Sequence, residues 1–182
     1  TTASSNRNVK QSIRRNDSGR RKSVVRPMLS WRSDPEQSFS DWKIEVRTMG
    51  ERAVDFYHVH RNIVGFGPRK SGYFAKQFLQ FNHQVRTNPT LEPKSKLILP
   101  TIEAKLFSFA LDYLYLTDGQ TQPTMTAESA CGVYRLAERL EIPTLQTTIT
   151  EFYRKHLNVS NMGKFLRAAN VHQVEQLAFV AK

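Results

Sequence analysis

The sequence predicts an α+β domain, a small β-sheet packed on a cluster of about five or more α-helices. Three observations predict it. Residues 42–47 alternate apolar and charged side chains, the period of a half-buried strand. Residues 53–60 form a second extended run, rich in β-branched and aromatic residues. From about residue 71 onward the apolar spacing changes to the three-and-four pattern of helices.

The elements follow in order. "DWKIEVRT" puts Trp42, Ile44 and Val46 on one face of a strand, and Lys43, Glu45 and Arg47 on the other. "MGER" is a turn, and "AVDFYHVH" returns as the second arm of a hairpin. "SGYFAKQFLQF" spaces Phe74, Phe78 and Phe81 at helical intervals. "KLILP" is a short buried strand stopped by Pro100. "TIEAKLFSFALDYLYL" reads as one helix, apolar nearly all round and therefore internal. "TDGQTQPT" is a loop, broken by Asp-Gly and Pro. "AESACGVYRLAERL" is an amphipathic helix with Ala130, Val133, Ala137 and Leu140 on one face. Pro143 opens the next helix, at a position where a missing N–H costs nothing. That helix is expected to bury Leu145, Ile149, Phe152 and Leu157. Residues 158–182 carry one or two further short helices.

Charge divides the chain. The net charge of +11 is uneven, with nine Lys/Arg against three Asp/Glu in residues 1–40. Residues 1–37 are rich in Ser, Asn and Arg and poor in large apolar side chains. They cannot bury enough surface to offset ordering entropy, so they read as a disordered basic tail. Arg14-Arg15 and Arg20-Arg21-Lys22 are its two basic clusters. They fit a nuclear-import signal, a nucleic-acid contact, a kinase site at Ser23, or simply a solvated tail. Residues 38–157 then form the domain, and residues 158–182 a helical extension. The chain begins at Thr1 and ends in a helical pattern, so sequence beyond both ends is expected.

Several chemistries are excluded by spacing. "GFGPRKSGY" looks like a phosphate loop, yet setting Lys70-Ser71 on the motif's last positions puts its glycines at Val64 and Arg69. The stretch reads instead as a corner between two helices. Gly65 and Gly67 are expected to supply backbone freedom there, and Arg69 and Lys70 to point to solvent. His58 and His60 share a face of the second strand by period, but no third and fourth metal ligand accompany them. The single cysteine, Cys131, sits beside Ala130 in a helix, where it reads as a small buried hydrophobe. No glycine-flanked nucleophile or carboxylate pair stands out, so neither an enzyme nor a cofactor is expected. One cysteine also excludes an internal disulfide, and no apolar run reaches the ~18 residues of a spanning helix. A cytoplasmic or nuclear protein without membrane contact is expected.

The order of these motifs resembles the BTB/POZ domain over about residues 38–157. Asp41 stands where that family has Ser-Asp-Val before its first strand. "FYHVHRNIV" is similar to the family's strand-to-helix pattern, with His60 and Arg61 on its His and basic positions. "SGYF", "LILPTIEAKLFSFALDYLYLTDG" and "YRLAERLEIPTLQ" match the later helices and strand in turn. His60 and Ser71 stand eleven residues apart, longer than the commonest family pattern.

The resemblance implies a BTB/POZ fold and a protein–protein interaction module that mediates homo- or hetero-oligomerisation. It implies that Asp41 and Arg61 form a charged pair near a dimer interface. It further implies a substrate adaptor for a cullin-3 ubiquitin ligase, with a cullin-facing surface around Tyr115, the 117–125 loop and the helix beginning near Leu145. The helices after Asn158 resemble the extension that follows the domain in many adaptors. The alternative is an oligomerisation domain of a nuclear, nucleic-acid-associated regulator that uses the basic tail. The segment "RPMLSWRSDPEQSFS", with Pro27 and Pro35, lacks the amphipathic helix of the strand-swapped transcription-factor dimers.

Overall fold

The computed structural model describes residues 29–117, 120, 121 and 123–181. In chain order its elements are α1 (Pro35–Ser38), β1 (Trp42–Thr48), β2 (Val54–Val59), α2 (Arg61–Val64), α3 (Gly72–Gln84), β3 (Lys94–Leu99), α4 (Thr101–Lys105), α5 (Phe107–Tyr115), α6 (Ala127–Arg139), α7 (Pro143–His156), α8 (Met162–Val171) and α9 (Glu175–Val180). A three-stranded sheet and a helical cluster result, as the α+β reading requires.

The sheet order is β2-β1-β3. β1 and β2 pair antiparallel, with Trp42 opposite Val59 and Ile44 opposite Tyr57. β1 and β3 pair parallel, with Ile44 opposite Ser95 and Val46 opposite Leu97. A parallel neighbour needs a crossover, which α2 and α3 supply. Trp42, Ile44 and Val46 are buried, so alternation along β1 chose the inner face as expected. Inside, Trp42 meets Phe78 and Phe81 edge-on at 4.8 and 4.9 Å, sealing the sheet against α3.

Four expectations are corrected. Residues 101–116 are two helices, not one, because Leu106 takes φ −94° and ψ 1° between α4 and α5. The bend lets Ala104 and Phe107 both reach the core. His58 and His60 do not share a face, because β2 ends at Val59 and His60 turns inward as the N-cap of α2. His60 is buried, whereas His58 is half-buried opposite Lys43. On α7 the fully buried residues are Leu145, Ile149 and Tyr153, while Phe152 and Leu157 only lean on the core. Finally, Gly65 and Gly67 do not serve backbone freedom, since neither has a positive φ. They serve close approach: a Cβ on Gly65 would lie 2.6 Å from the Phe78 ring, and one on Gly67 would lie 2.5 Å from the Ile63 carbonyl oxygen.

α6 is the central helix. A capping box between Thr126 and Ser129 starts it. Ala130–Tyr134, Leu136 and Ala137 are all buried, because α5 and α4 cover one side and α7 and α8 the other. α8 and α9 belong to this core: Phe165 meets Tyr153 edge-on at 4.7 Å, and Val174 and Leu177 are buried.

Candidate protein-interaction surface

Asp41 lies just before β1 and Arg61 opens α2 across the hairpin. The Asp41 backbone N–H donates to the Val59 carbonyl at 3.1 Å, which holds the two segments side by side. The carboxylate then accepts twice from Arg61, from its backbone N–H at 2.8 Å and from Nε at 2.8 Å. Arg61 reaches on to the Asn82 side chain of α3 at 3.2 Å. Burial works against the charge of Asp41, yet the hydrogen bonds and positive charge of Arg61 outweigh it and hold the carboxyl below its ordinary value. Both partners stay partly open to solvent, Arg61 at 30% and Asp41 at 44% side-chain exposure. The pair is therefore formed and screened, rather than sealed.

Between them sits His60. Its Nε2 lies 2.6 Å from the Ser38 carbonyl, which can only accept. In the neutral ring Nε2 carries the hydrogen, and Nδ1 accepts from the Tyr115 hydroxyl at 2.8 Å. The Tyr115 oxygen also accepts the His60 backbone N–H at 2.8 Å. One histidine thus joins α1, the end of β2 and the last residue of α5. Burial first, and then the nearby Asp41 charge, push the Tyr115 hydroxyl up to about 12, against the lowering effect of the His60 N–H.

The structure brings Asp41, Arg61 and Tyr115 into one cluster. Leu145 stands apart from it and is fully buried, so Pro143, Thr144 and Thr147 present the surface of that helix turn. A groove of about 1100 Å³ opens beside the cluster, lined by Trp31, Ile63, Arg69, Asp112, Tyr115 and Pro123 among others. Arg69 does not point to solvent, as the sequence suggested. It is half-buried, donates to the Leu116 carbonyl, and stands 5.6 Å over the Tyr113 ring.

Ordered contacts also reach into the segment before residue 38 that reads as a disordered tail. Trp31 Nε1 donates to Asp112 at 2.9 Å, Arg32 bridges the same carboxylate at 2.7 Å, and Trp31 packs on Tyr57 at 5.5 Å. A lone Trp in an otherwise polar stretch was the available signal for this anchor. Its partner Asp112 carried none, being one acid in an apolar helix. Arg14, Arg15, Arg20, Arg21, Lys22 and Ser23 lie outside the described residues, as do residues 118, 119 and 122 of the 117–125 loop.

The family model of the BTB/POZ domain matches residues 33–157. This chain belongs to the BTB/POZ family. The match begins before residue 38, which agrees with the anchored segment around Trp31 and α1. No curated protein matches the chain. A BTB domain is a protein–protein interaction and oligomerisation module, and that is the function this fold carries. Among the described residues, no group of three or more His, Cys, Asp or Glu is placed to hold a metal ion. Among the same residues, no helix is long and apolar enough to cross a membrane.

Proposed function

We propose that this BTB domain is a non-catalytic substrate adaptor for a cullin-3 ubiquitin ligase. The observation that carries the reading is the helical extension. α8 and α9 are not appended to the domain but share its core through Phe165, Ala168, Ala169, Val174 and Leu177. A rigid continuation of this kind suits an adaptor, which must hold a substrate at a set distance from the ligase. The cullin docks around Tyr115 and the described part of the 117–125 loop, where the groove offers an apolar floor and the Arg69 cation. The test is a pull-down of the chain with the N-terminal region of cullin-3. Binding at micromolar concentration that Arg69→Glu weakens is the expected result. Absence of binding removes the adaptor reading, and binding untouched by Arg69→Glu moves the docking site elsewhere.

Self-association is assigned to the Asp41–Arg61 cluster. Its partial exposure leaves both charges open to further burial by a second copy. Arg61→Ala then leaves the Asp41 carboxylate its backbone N–H donor but no countercharge, costing on the order of 3–5 kcal/mol where a second copy seals the site. Light scattering reads the outcome: a lower mass is expected, and an unchanged mass with an unchanged melting point rules the assignment out.

A further inference from the structure

The outer face of the sheet takes no part in the surface described above. Register arranges it in three rows: His58, Lys43 and Lys94; Phe56, Glu45 and Lys96; Val54, Arg47 and Ile98. Phe56 is 55% exposed and Ile98 62%, so solvent reaches apolar surface on both edge strands of a charged face. One carboxylate serves two ammonium groups here, Glu45 lying 3.8 Å from Lys43 and 4.0 Å from Lys96. Lys94 leans on Glu92 of the preceding loop, and Arg47 has no ion-pair partner among the described residues. The balance is positive. Lys43 Nζ stands 4.2 Å over the Phe56 ring, so a cation already occupies the open π-face.

A second feature adjoins this face. A cleft of about 520 Å³ lies between α3 and the start of β3, lined by Gln77, Gln80, Gln84, Thr90, Lys94 and Lys96, with Trp42 and Phe81 also in its wall. The three glutamine side chains make no hydrogen bond among the described residues. Free amides, each both donor and acceptor, converge on one polar cleft rimmed by Lys94, Lys96 and the Glu92 carboxylate that pairs with Lys94.

We propose that the outer sheet face and this cleft together bind single-stranded nucleic acid. Successive rows stand about 6.6–6.8 Å apart along the strands, two residues at the usual rise. That step suits successive phosphates of an extended strand running past Lys94, Lys96 and Arg47. Displacement of the Lys43 ammonium toward a phosphate frees the Phe56 ring, and a base stacks there. The neighbouring base enters the cleft, where glutamine amides meet its Watson–Crick or Hoogsteen edge. An acidic peptide satisfies the cations, and its backbone can pair with the amides, but its carboxylates leave the Phe56 ring unused, so a nucleic acid fits more of the site. This inference does not rest on cullin binding, and Arg69→Glu lies outside the site it names.

The test is fluorescence anisotropy of the whole chain with short labelled pyrimidine-rich oligonucleotides, DNA and RNA, over a range of salt. Expected are binding that falls with salt, and at least about a fivefold loss in Phe56→Ala, since base stacking on an aromatic contributes about 1–3 kcal/mol. Phe56→Leu keeps the apolar area without the ring and loses affinity similarly. Lys94→Glu with Lys96→Glu weakens binding further. A variant with Arg14, Arg15, Arg20, Arg21 and Lys22 all changed to Ala keeps the dependence on Phe56, which separates the sheet from the tail. The proposal is overturned by three results. These are no measurable binding, oligonucleotide affinity indifferent to Phe56 and Lys96, or equal competition by polyglutamate, which would make the face a site for acidic protein segments.

Discussion

At the scale of single residues, the joint around His60 decides most. Tyr115 supplies one oxygen that serves two His60 groups, the backbone N–H and Nδ1. Tyr115→Phe leaves both without a partner in a half-buried site, so a loss of about 1–3 kcal/mol is expected in urea denaturation. Its hydroxyl also links stability to high pH. The folded value of about 12 lies above the ordinary 10, so the contribution is complete below pH 10 and lost as pH rises through 12. Tyr115→Phe is therefore expected to flatten part of the alkaline fall in melting temperature. A wild-type and variant pair falling in parallel above pH 10 would contradict it. Asp41 works in the opposite sense. Its carboxyl is held below the usual value, so its contribution is present above the unfolded value and fades as pH falls through the folded one. Asp41→Asn should lose this acid-side dependence while Arg61 keeps its hydrogen bond to Asn82, and melting curves between neutral and acid pH measure it.

At the scale of elements, starts and corners carry the specificity. α3 begins where Ser71 Oγ accepts from the Phe74 N–H at 3.2 Å and donates to the Leu140 carbonyl at 2.6 Å. A buried serine thus caps one helix and ties it to the end of another. Ser71→Ala is expected to cost about 1–2 kcal/mol, more than an exposed cap, because the Leu140 carbonyl stays buried without its donor. Chemical denaturation at neutral pH measures it. The corner before α3 shows how the same residues admit two explanations. Glycine signalled a turn, correctly, but the reason is the Phe78 ring and the Ile63 carbonyl standing where a side chain would be. The Ile63 carbonyl is local to the corner, but the Phe78 ring comes from α3, and close approach of that kind leaves no trace in local sequence.

At the scale of the whole molecule, the core runs past the matched family segment. α8 and α9 cover Tyr153, whose burial and contact with Cys131 push its hydroxyl well above the ordinary value. Cutting the chain after Leu157 removes Phe165, Ala169 and Leu177 and lays that side of α7 open to water. Loss of a side chain the size of Phe165 alone is expected to cost about 3–5 kcal/mol. A truncated protein should melt well below the full chain or aggregate, as calorimetry would read directly. Retention of the full melting point would make the extension a separate unit.

Much of this fold was legible beforehand because strand alternation and helix spacing are local. The face of β1, the hairpin, α3 with its phenylalanines, α6 and the proline start of α7 all follow from side-chain period and from backbone groups that proline lacks. Asp41, Arg61 and Tyr115 were readable as candidates only through motif order. That they meet was a tertiary matter, settled where β2 ends and turns His60 inward. The bend at Leu106, the anchoring of Trp31 on Asp112 and the inward turn of Arg69 were equally beyond a one-dimensional reading. The physical reason is common to all. Local sequence states what a segment prefers to bury, but a polar group's partner stands on another element, and only the closed fold brings the two within a hydrogen bond's reach.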